Sequence, residues 1–432
     1  MKLFPARRIN GRIGLPGDKS ISHRAALIAS LANDTARLTN FSTSEDCAST
    51  LACIEKLGAT VTRSGEHLTI EPAKRLQASS TPLDCGNSGS TMRMLAGLLA
   101  GQTFTSTLVG DDSLSSRPMK RIIEPLERMG ARIDSANDKP PLTIQGTAPL
   151  QAIKYELPVA SAQVKSCVLF AGLNAEGQTT VIEPAVTRDH TERLFNGCGV
   201  PVNSERTNDG RTTITIDGPA RFDCADMTIP GDISSAAYFV AAATLLRGSE
   251  LLIQDVSLNP TRVEFLSVLR DWGAEIETSD ERLERNEPTG AIRISSGDLE
   301  SGVQSRRVPE ALIPSLIDEL PLMAVVGSQL PGGVEIRSAT ELRVKETDRI
   351  AATVRNLRAM GAEVEEYPDG LFVNGPTNLH GALIESYGDH RIAMAFSIAA
   401  LVANGPSEIS GASCVNISFP EFFELLHQIN ET

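Results

Sequence analysis

The sequence places Lys and Arg side chains at the starts of short segments that have the pattern of helices. Lys19 and Arg24 follow Gly17-Asp18, and Arg391 follows Gly388-Asp389. The helix macrodipole opposes a cation at a helix N-terminus, so helix stability alone does not favour these residues there. Such a conflict between residue type and local preference is expected at a functional site. The cations that a purely solvent-exposed role explains least well are Lys19, Arg117, Lys345, Arg349 and Arg391.

Carboxylates beside these cations are the candidates for acid–base chemistry. Asp318 and Glu319 lie together at a predicted helix start, and Glu346 lies between Lys345 and Arg349. Residues three or four apart share one face of a helix, so Lys345, Glu346 and Arg349 are expected to face the same site. An i,i+3 ion pair with Arg349 is the alternative role for Glu346.

The histidines and cysteines show no metal-binding pattern. The six His and seven Cys form neither an HExxH motif nor a CxxC pair, so we expect no metal site. Cys47, Cys53 and Cys85 are expected to be buried, inert thiols. ATP and dinucleotide sites of these two kinds are also excluded, because Asp18 stands where a P-loop requires Gly and no G-x-G-x-x-G motif is present.

Charge and composition exclude several kinds of partner. The net charge is −14 and aromatic residues make up only 4%, which argues against nucleic-acid binding. No apolar stretch approaches the ~18 residues that indicate a membrane span. The N-terminus lacks the apolar region of a secretory signal, and unpaired cysteines suit a reducing compartment, so a cytoplasmic location is expected.

One structural unit recurs six times at intervals of about 70 residues. Each copy has a polar start followed by a helix of small and apolar residues, and the starts are Gly17, Gly86, Ala160, Gly231, Ile317 and Gly388. A second helix ends in glycine before a strand at Gly58, Gly130, Gly273 and Gly361, and more loosely at Gly199. The period predicts two globules of three units each, joined near residue 230.

The second residue of each start is a type that caps helices well. The six predicted N-caps are Asp18, Asn87, Ser161, Asp232, Asp318 and Asp389. Helix N-termini attract anions, although each contributes only about 0.3–1 kcal/mol, so the nearby Lys and Arg must provide most of the attraction. The repeat therefore predicts a cleft between the two globules that binds small, multiply charged anions.

Eight motifs resemble the 3-phosphoshikimate 1-carboxyvinyltransferase (EPSP synthase) family of enolpyruvyl transferases. In order, between about residues 15 and 423, they are PGDKSISHRA, GNSGSTMR, SSRPMKR, SAQVKS, TRDHTE, PGDISSA, RVKETDR and YGDHRIAMAFS. The resemblance implies an α/β (α+β) fold of two domains, each an inside-out α/β barrel of three βαβαββ units, with the active site in the interdomain cleft. It places an N-terminal domain at 17–230 and a discontinuous C-terminal domain at 1–16 and 231–432.

The same resemblance implies a reaction. Members of the family transfer the carboxyvinyl group of phosphoenolpyruvate to the 5-hydroxyl of 3-phosphoshikimate and release phosphate, by addition and elimination through a tetrahedral intermediate. This is a step of the shikimate pathway to aromatic amino acids, and it uses no cofactor. The expected partners are these two small molecules, with no nucleic acid and no membrane, and the expected state is a monomer.

Residue roles follow from the resemblance by motif. The residues implied to bind 3-phosphoshikimate are Lys19, Ser20, Arg24, Ser161, Ala162, Gln163, Arg188, Asp318 and Lys345. Those implied to bind phosphoenolpyruvate are Lys19, Gly89, Arg117, Gln163, Arg349 and Arg391. Asp318 would accept the proton of the 5-hydroxyl, while Glu346 and Lys19 would exchange protons at the methylene carbon and the leaving phosphate. Gly89 stands where glyphosate-insensitive members have Ala, which implies inhibition by glyphosate in competition with phosphoenolpyruvate.

The sequence departs from the family pattern in three places. The run Asn416-Ile417-Ser418-Phe419-Pro420 lacks the Lys that some members have before Thr-Phe-Pro. Glu341 stands where some members have Asn, and Met94 where some have Pro. These changes leave the reaction intact and affect the details of the subsites.

Two alternative functions remain open. A related enolpyruvyl transferase that acts on a UDP-sugar uses a cysteine in a mobile loop, but the comparable loop here, 109–121, contains no Cys, and Lys19 is followed by Ser20 where that family has Asn. The other alternative is a non-catalytic anion-binding protein on the same scaffold. Such a protein would need no acid–base carboxylates, so ligand binding without turnover would favour it.

Overall fold

The structure is a computed structural model that describes residues 1–224, 226–297 and 306–431. The chain separates into two compact units. Unit 1 comprises Met1–Pro16, Gly231–Arg282 and Pro288–Thr432, and unit 2 comprises Gly17–Pro230 and Leu283–Glu287. Within the described ranges, no helix is both long enough and apolar enough to cross a membrane.

The secondary structure alternates between strands and helices throughout both units. The chain opens in unit 1 with β1 (Lys2–Leu3) and β2 (Arg8–Gly14). Unit 2 contains α1 (Lys19–Leu31), β3 (Ala36–Thr39), α2 (Glu45–Lys56), β4 (Thr60–Ser64), β5 (His67–Glu71), β6 (Leu83–Asp84), α3 (Gly89–Ala100), β7 (Thr105–Val109), α4 (Asp112–Ser116), α5 (Lys120–Arg128), β8 (Arg132–Ser135), β9 (Leu142–Gln145), β10 (Leu150–Gln151), β11 (Lys154–Glu156), α6 (Ala162–Gly172), β12 (Ala175–Glu183), α7 (His190–Gly197), β13 (Val202–Arg206), β14 (Thr212–Gly218) and β15 (Met227–Thr228).

The remainder of the chain returns to unit 1. Its elements are α8 (Ile233–Leu245), β16 (Glu250–Ser257), α9 (Glu264–Asp271), β17 (Glu275–Glu284), β18 (Glu287–Ser295), β19 (Arg306–Arg307), α10 (Ile313–Leu316), α11 (Leu320–Gly327), β20 (Val334–Ile336), α12 (Arg349–Ala359), β21 (Val364–Tyr367), β22 (Gly370–Val373), β23 (Leu383–Glu385), α13 (His390–Val402), β24 (Ser407–Ser410), α14 (Phe422–Ile429) and β25 (Asn430–Glu431). Short 3₁₀ helices cover Glu310–Leu312, Thr340–Val344 and Ala412–Ile417.

The sheets of unit 2 repeat one strand arrangement. β6 pairs in parallel with β7, β7 pairs antiparallel with β9, and β9 pairs antiparallel with β8. The same order holds for β11-β12-β14-β13 and for β15-β3-β5-β4. A parallel pair needs a crossover connection, which α3 and α6 provide in two of these sheets. Each module therefore reads β-α-β-α-β-β, and in the first module β15 supplies the parallel strand from the far end of the unit.

The sheets of unit 1 follow the same scheme. β2 pairs in parallel with β16, and β16 pairs antiparallel with β18. The second sheet runs β19-β20-β22-β21, and the third joins β23 in parallel to β24, with β1 antiparallel on its other side. The predicted α/β fold of repeated βαβαββ units is confirmed.

The interior of each unit consists of helices that are buried on almost every side. α3 packs against α6 and α1 in unit 2, and α13 packs against α8 and α11 in unit 1. Every residue of α8 except the last is buried, and every residue of α13 except the last is buried. A helix that is apolar all round must lie in the interior. The helices thus form the core of each unit and the sheets lie outside them.

The N-cap prediction is confirmed at four starts and wrong at two. The residues that cap their helices through a side-chain hydrogen bond are Asp18, Ser161, Asp232 and Asp389. At the other two starts the helix begins one residue later, with Ser88 and Glu319 as N-caps. Asn87 and Asp318 are instead engaged by Arg117 and Arg349. The predicted stop glycines Gly58, Gly130, Gly199, Gly273 and Gly361 all have positive φ, as a helix C-terminus requires.

Candidate active site

In unit 2, the predicted substrate residues and Arg93 lie in the first two turns of three core helices and in the segments before α5 and α7. We name this set the Arg24 cluster; it comprises Lys19, Ser20, Arg24, Gly89, Arg93, Arg117, Ser161, Ala162, Gln163 and Arg188. Gln163 connects two of the helices. Arg93 Nη1 donates to Gln163 Oε1 at 2.6 Å, and Gln163 Nε2 donates to Ser90 Oγ at 2.9 Å.

Arg24 is a buried guanidinium whose hydrogen bonds go to neutral oxygen atoms. Its residue exposure is 3%, and its hydrogen bonds go to Thr191 Oγ1, Ser166 Oγ and the carbonyl of Ser20. Among the residues that the structure describes, no Asp or Glu forms an ion pair with it. Burial lowers the pKa of Arg24 from 12.5 to about 10, and it outweighs the opposing effect of the negative charges of Glu192, Asp18 and Glu287. A buried cation without an ion pair is unfavourable by itself and favours an incoming anion.

Lys19 is held at the start of α1 by an acidic residue that the sequence did not indicate. Lys19 Nζ lies 2.8 Å from Asp46 Oδ2, and both side chains are largely buried. Asp46 belongs to α2, and Thr91 Oγ1 of α3 donates to its backbone carbonyl at 3.4 Å. The ammonium is therefore fixed where α1, α2 and α3 meet.

Gly89 and Arg117 lie close together at the start of α3. Arg117 Nη2 donates to Asn87 Oδ1 at 2.9 Å and to Ser113 Oγ at 3.2 Å. A Cβ at Gly89 would lie 2.6 Å from Arg93 Nη1 and 3.4 Å from Arg117 Nη1. The missing side chain at Gly89 thus leaves two guanidinium groups close to the helix backbone, an arrangement suited to a small anion.

In unit 1, a second group combines cations with an excess of carboxylates. We name it the Arg349 cluster; it comprises Asp318, Glu319, Glu346, Arg349, Asp389 and Arg391. Arg349 is 2% exposed, and its guanidinium contacts Asp389 at 2.8 Å, Glu346 at 2.6 Å and Asp318 at 3.3 Å. Burial alone would lower the pKa of Arg349, but these three carboxylates outweigh burial and raise it.

Arg391 completes the Arg349 cluster from the first turn of α13. Its Nη2 lies 3.8 Å from Asp318 Oδ2, and its Nη1 lies 3.5 Å from Glu319 Oε1. Burial tends to lower the pKa of Arg391, while Tyr238, Asp318 and Glu319 raise it well above its usual value. Asp318 therefore lies between two guanidinium groups, with its side chain 16% exposed.

Glu346 and Lys345 point to different partners. The ion pair between Glu346 and Arg349, which the sequence offered as an alternative, is present at 2.6 Å. Lys345 Nζ instead lies 3.1 Å from Glu341 Oε1, the acidic residue that departs from the family pattern. The expectation that residues 345, 346 and 349 share one face of a helix is wrong, because Lys345 and Glu346 both precede α12; Glu346 nevertheless pairs with Arg349. Lys345 ends a 3₁₀ helix, whereas Arg349 opens α12.

The structure adds residues that sequence reasoning missed. Asp46 pairs with Lys19, Asp389 both caps α13 and holds Arg349, and Thr191 and Ser166 hold Arg24. Only Asp389 carried a signal, because its N-cap role was predicted from the sequence. The others are ordinary helix residues, and their roles depend on packing between helices that lie far apart in the chain.

Thiol and metal chemistry find little support in the described part of the chain. Cys47, Cys53 and Cys85 are buried, and burial raises the pKa of Cys47 to about 12, so its reactive thiolate is scarce near neutral pH. Among the described residues, no group of three or more His, Cys, Asp or Glu side chains could hold a metal ion.

The fold and the two clusters together define a class of protein: a two-unit α/β chain with buried cations at helix starts and carboxylates beside several of them. A family model described as EPSP synthase (3-phosphoshikimate 1-carboxyvinyltransferase) matches residues 4–426. The 3-phosphoshikimate 1-carboxyvinyltransferase of Koribacter versatilis is 49% identical over 433 residues, which is 100% of this chain and 99% of that protein.

Other relatives agree with this match over nearly the whole chain. The enzyme of the same description from Akkermansia muciniphila is 49% identical and covers 96% of both chains. A solved structure of EPSP synthase from Acinetobacter baumannii superposes with a TM-score of 0.87 at 38% identity, covering 100% of this chain and 98% of that one. The chain belongs to the EPSP synthase family.

Proposed function

We propose that the protein transfers the carboxyvinyl group of phosphoenolpyruvate to the 5-hydroxyl of 3-phosphoshikimate and releases inorganic phosphate, a step of the shikimate pathway. The observation that carries the proposal is Arg24, a 3% exposed guanidinium held only by hydroxyl and carbonyl oxygens among the described residues. Both substrates carry a carboxylate and a phosphate, which are the groups that such a cation binds.

The proposed binding roles divide the residues by substrate. For 3-phosphoshikimate they are Lys19, Ser20, Arg24, Ser161, Ala162, Gln163, Arg188, Asp318 and Lys345. For phosphoenolpyruvate they are Lys19, Gly89, Arg117, Gln163, Arg349 and Arg391. The closeness of Gly89, Arg93 and Arg117 supports the second set, because planar guanidinium groups bind carboxylate and phosphate through paired hydrogen bonds.

The chemistry we propose is an addition followed by an elimination. Glu346 or Lys19 protonates the methylene carbon of phosphoenolpyruvate, which makes the neighbouring carbon electrophilic. The 5-hydroxyl adds to that carbon while Asp318 takes its proton. The adduct then loses a methyl proton and phosphate, which restores the double bond in the product. Each positioned proton transfer contributes roughly 10²–10⁴-fold to the rate.

Arg349 contacts both of the carboxylates to which we assign proton transfers. Asp318 lies within 4 Å of both Arg349 and Arg391, so two guanidinium groups orient its carboxylate. Glu346 contacts the same Arg349 at 2.6 Å. Arginine and lysine side chains near the leaving phosphate stabilise its developing charge without a metal ion.

A coupled assay tests the proposed function. Phosphate release from phosphoenolpyruvate is measured with and without 3-phosphoshikimate, in the presence of EDTA. We expect release only when both substrates are present, and no loss of activity with EDTA. Release without the acceptor, or binding of both substrates without turnover, would contradict the proposal; the second result would favour a non-catalytic anion-binding protein.

Substitution of Asp318 tests its role as the base. Asp318→Asn keeps the size of the side chain but removes the proton acceptor, so kcat should fall by about 10²–10⁴-fold. The matched control is Asp271→Asn at the exposed end of α9, which should keep wild-type kcat. Full activity of Asp318→Asn would remove the residue from this role.

We also propose that the protein is a monomer, that it is located in the cytoplasm and that it binds no nucleic acid. Its net charge of −14 supports the last of these points. Light scattering after size-exclusion chromatography tests the first point, and a dimer mass would contradict it. Cell fractionation tests the second point, and a filter-binding assay with duplex DNA and RNA tests the third.

A further inference from the structure

The contacts of Arg24 form a chain of hydroxyl groups with one consistent direction of donation. Arg24 Nε donates to Thr191 Oγ1 at 2.7 Å, and Arg24 Nη2 donates to Ser166 Oγ at 2.9 Å. The two hydroxyls lie 2.7 Å apart, and Ser166 Oγ donates to the Ala162 carbonyl at 2.7 Å. Because Ser166 has only one hydrogen to give, the Thr191 hydroxyl is the donor between the two. Arg24 is thereby tied to the first turn of α6.

The two hydroxyls are held in place by a buried ion pair network next to them in sequence. Lys165, adjacent to Ser166, lies 2.7 Å from Glu192 and 3.1 Å from Glu183. Glu192 is adjacent to Thr191 on α7, so the network fixes α7 against α6. Lys165 also engages both of these carboxylates directly, whereas Arg24 forms no ion pair with either.

Hydroxyls and carboxylates would orient Arg24 with different consequences. A carboxylate would satisfy the N–H donors and neutralise the charge, as Asp389 does for Arg349. A hydroxyl satisfies the same donors but leaves the positive charge intact, because it carries only a dipole. Thr191 is fully buried and Ser166 is 1% exposed, so water does not compete for these bonds.

We propose that Thr191 and Ser166 are positioning residues that fix Arg24 in one orientation without an ion pair, and that they thereby set the affinity for the anionic group of 3-phosphoshikimate. The inference rests on the proposed function and deepens it. Neither residue needs to touch the substrate, since both act through Arg24.

The main test is Thr191→Val, which keeps the shape of the side chain and removes the hydroxyl. A hydrogen bond to a charged group is lost, so KM and the dissociation constant for 3-phosphoshikimate should rise about ten-fold or more. The KM for phosphoenolpyruvate and kcat should change less than about three-fold. Thr191→Ser restores the hydroxyl and should return the affinity for 3-phosphoshikimate to within about three-fold of wild type.

Two further variants separate positioning from stability. Ser166→Ala removes the second hydroxyl and should raise the same KM, so it provides the measurement if Thr191→Val folds poorly. Ser30→Ala is the matched control. Ser30 lies on α1 and its hydroxyl is buried like that of Ser166, but it donates to the Leu27 carbonyl of its own helix. Ser30→Ala should leave both KM values unchanged even if it lowers the melting temperature.

The outcomes distinguish this inference from the proposed function. A wild-type protein that neither binds nor converts 3-phosphoshikimate overturns both. An active wild type together with an unchanged KM in Thr191→Val and Ser166→Ala overturns the positioning role alone. An equal loss of kcat and of affinity for both substrates, or failure of Thr191→Ser to restore binding, also overturns it.

Discussion

Arg24 and Arg349 show two ways of burying a guanidinium group in one chain. Arg349 contacts three carboxylates, whereas Arg24 contacts hydroxyl and carbonyl oxygens. Burying a charge without a counter-ion is costly, and an anion that binds Arg24 removes part of that cost. Arg349 is already neutralised and is suited to holding Asp318 and Glu346 in place.

Gly89 determines how closely an anion can approach the start of α3. In Gly89→Ala the new Cβ would lie 2.6 Å from Arg93 Nη1, so the Arg93 side chain must move away from Gln163. We expect the inhibition constant of glyphosate, measured in competition with phosphoenolpyruvate, to rise about ten-fold or more, as a loss of about 1.4 kcal/mol implies. Inhibition that is not competitive in wild type, or a constant unchanged in Gly89→Ala, would contradict this prediction.

His23 makes the stability of the protein depend on pH. Burial, with the charges of Lys19 and Arg24, holds the pKa of His23 well below 6.5. Below about pH 6.5, His23 is protonated in the unfolded chain but stays neutral in the folded protein, so stability falls as the pH falls. At pH values well below 6.5 but above the pKa of the folded protein, the free energy of unfolding falls by about 1.4 kcal/mol for each pH unit.

Urea unfolding at pH 7.5 and pH 5.5 measures the contribution of His23. His23→Gln should lose less stability than wild type between these two pH values, even if it is less stable at both. His67→Gln is the control, because His67 is exposed on β5 of the same unit. An equal loss in wild type and His23→Gln would contradict the assignment.

Sequence reasoning reached the charged residues of the site more easily than their partners. Lys19, Arg24 and Arg349 were identified because a cation at a helix start conflicts with the dipole. Asp46 and Thr191 were missed, since each is an ordinary helix residue whose contact is set by packing between distant segments. The residue types Asp and Thr do not by themselves predict a contact with Lys19 or Arg24.

At the scale of elements, close approach between core helices depends on small residues. A Cβ at Gly97 of α3 would lie 2.0 Å from the Cys167 carbonyl of α6, and a backbone atom cannot move aside as a side chain can. We therefore expect Gly97→Ala to cost about 3 kcal/mol and to lower the melting temperature by about 6 °C or more.

A second glycine provides the control for Gly97. A Cβ at Gly14, the last residue of β2, would meet no atom within 4 Å. Gly14→Ala should change stability by less than about 0.5 kcal/mol. If Gly97→Ala melts at the same temperature as Gly14→Ala, the close packing of α3 on α6 is incorrect.

Helix starts were predictable from the sequence to within one residue. Capping depends on local chemistry, so Asp18, Ser161 and Asp389 were found correctly. The prediction failed at Asn87 and Asp318 because tertiary contacts with arginines compete with capping for these side chains. Residue preferences near the N-cap thus predict where a helix begins, but side chains at that start can form tertiary contacts instead of capping the helix.

At the scale of the whole molecule, two modules are completed by strands from distant parts of the chain. β2 pairs with β16 and β15 pairs with β3, which a repeat period of about 70 residues does not reveal. Leu283–Glu287 also belongs to unit 2, where Glu287 contacts the buried His190 at 2.7 Å. These pairings depend on long-range contacts, whereas the period reflects only local order.

The proposed binding residues for phosphoenolpyruvate are shared between the units. Lys19, Gly89 and Arg117 lie in unit 2, whereas Arg349 and Arg391 lie in unit 1. The central claim is that the chain carries out an addition followed by an elimination.

Product analysis in D₂O tests that claim most directly. Protonation and deprotonation of the methylene carbon should place deuterium in the vinyl group of the product, with one phosphate released per acceptor consumed. Proton NMR and a phosphate assay on the same reaction measure both quantities. Phosphate without a vinyl ether product, or a vinyl ether product free of deuterium, would contradict the mechanism.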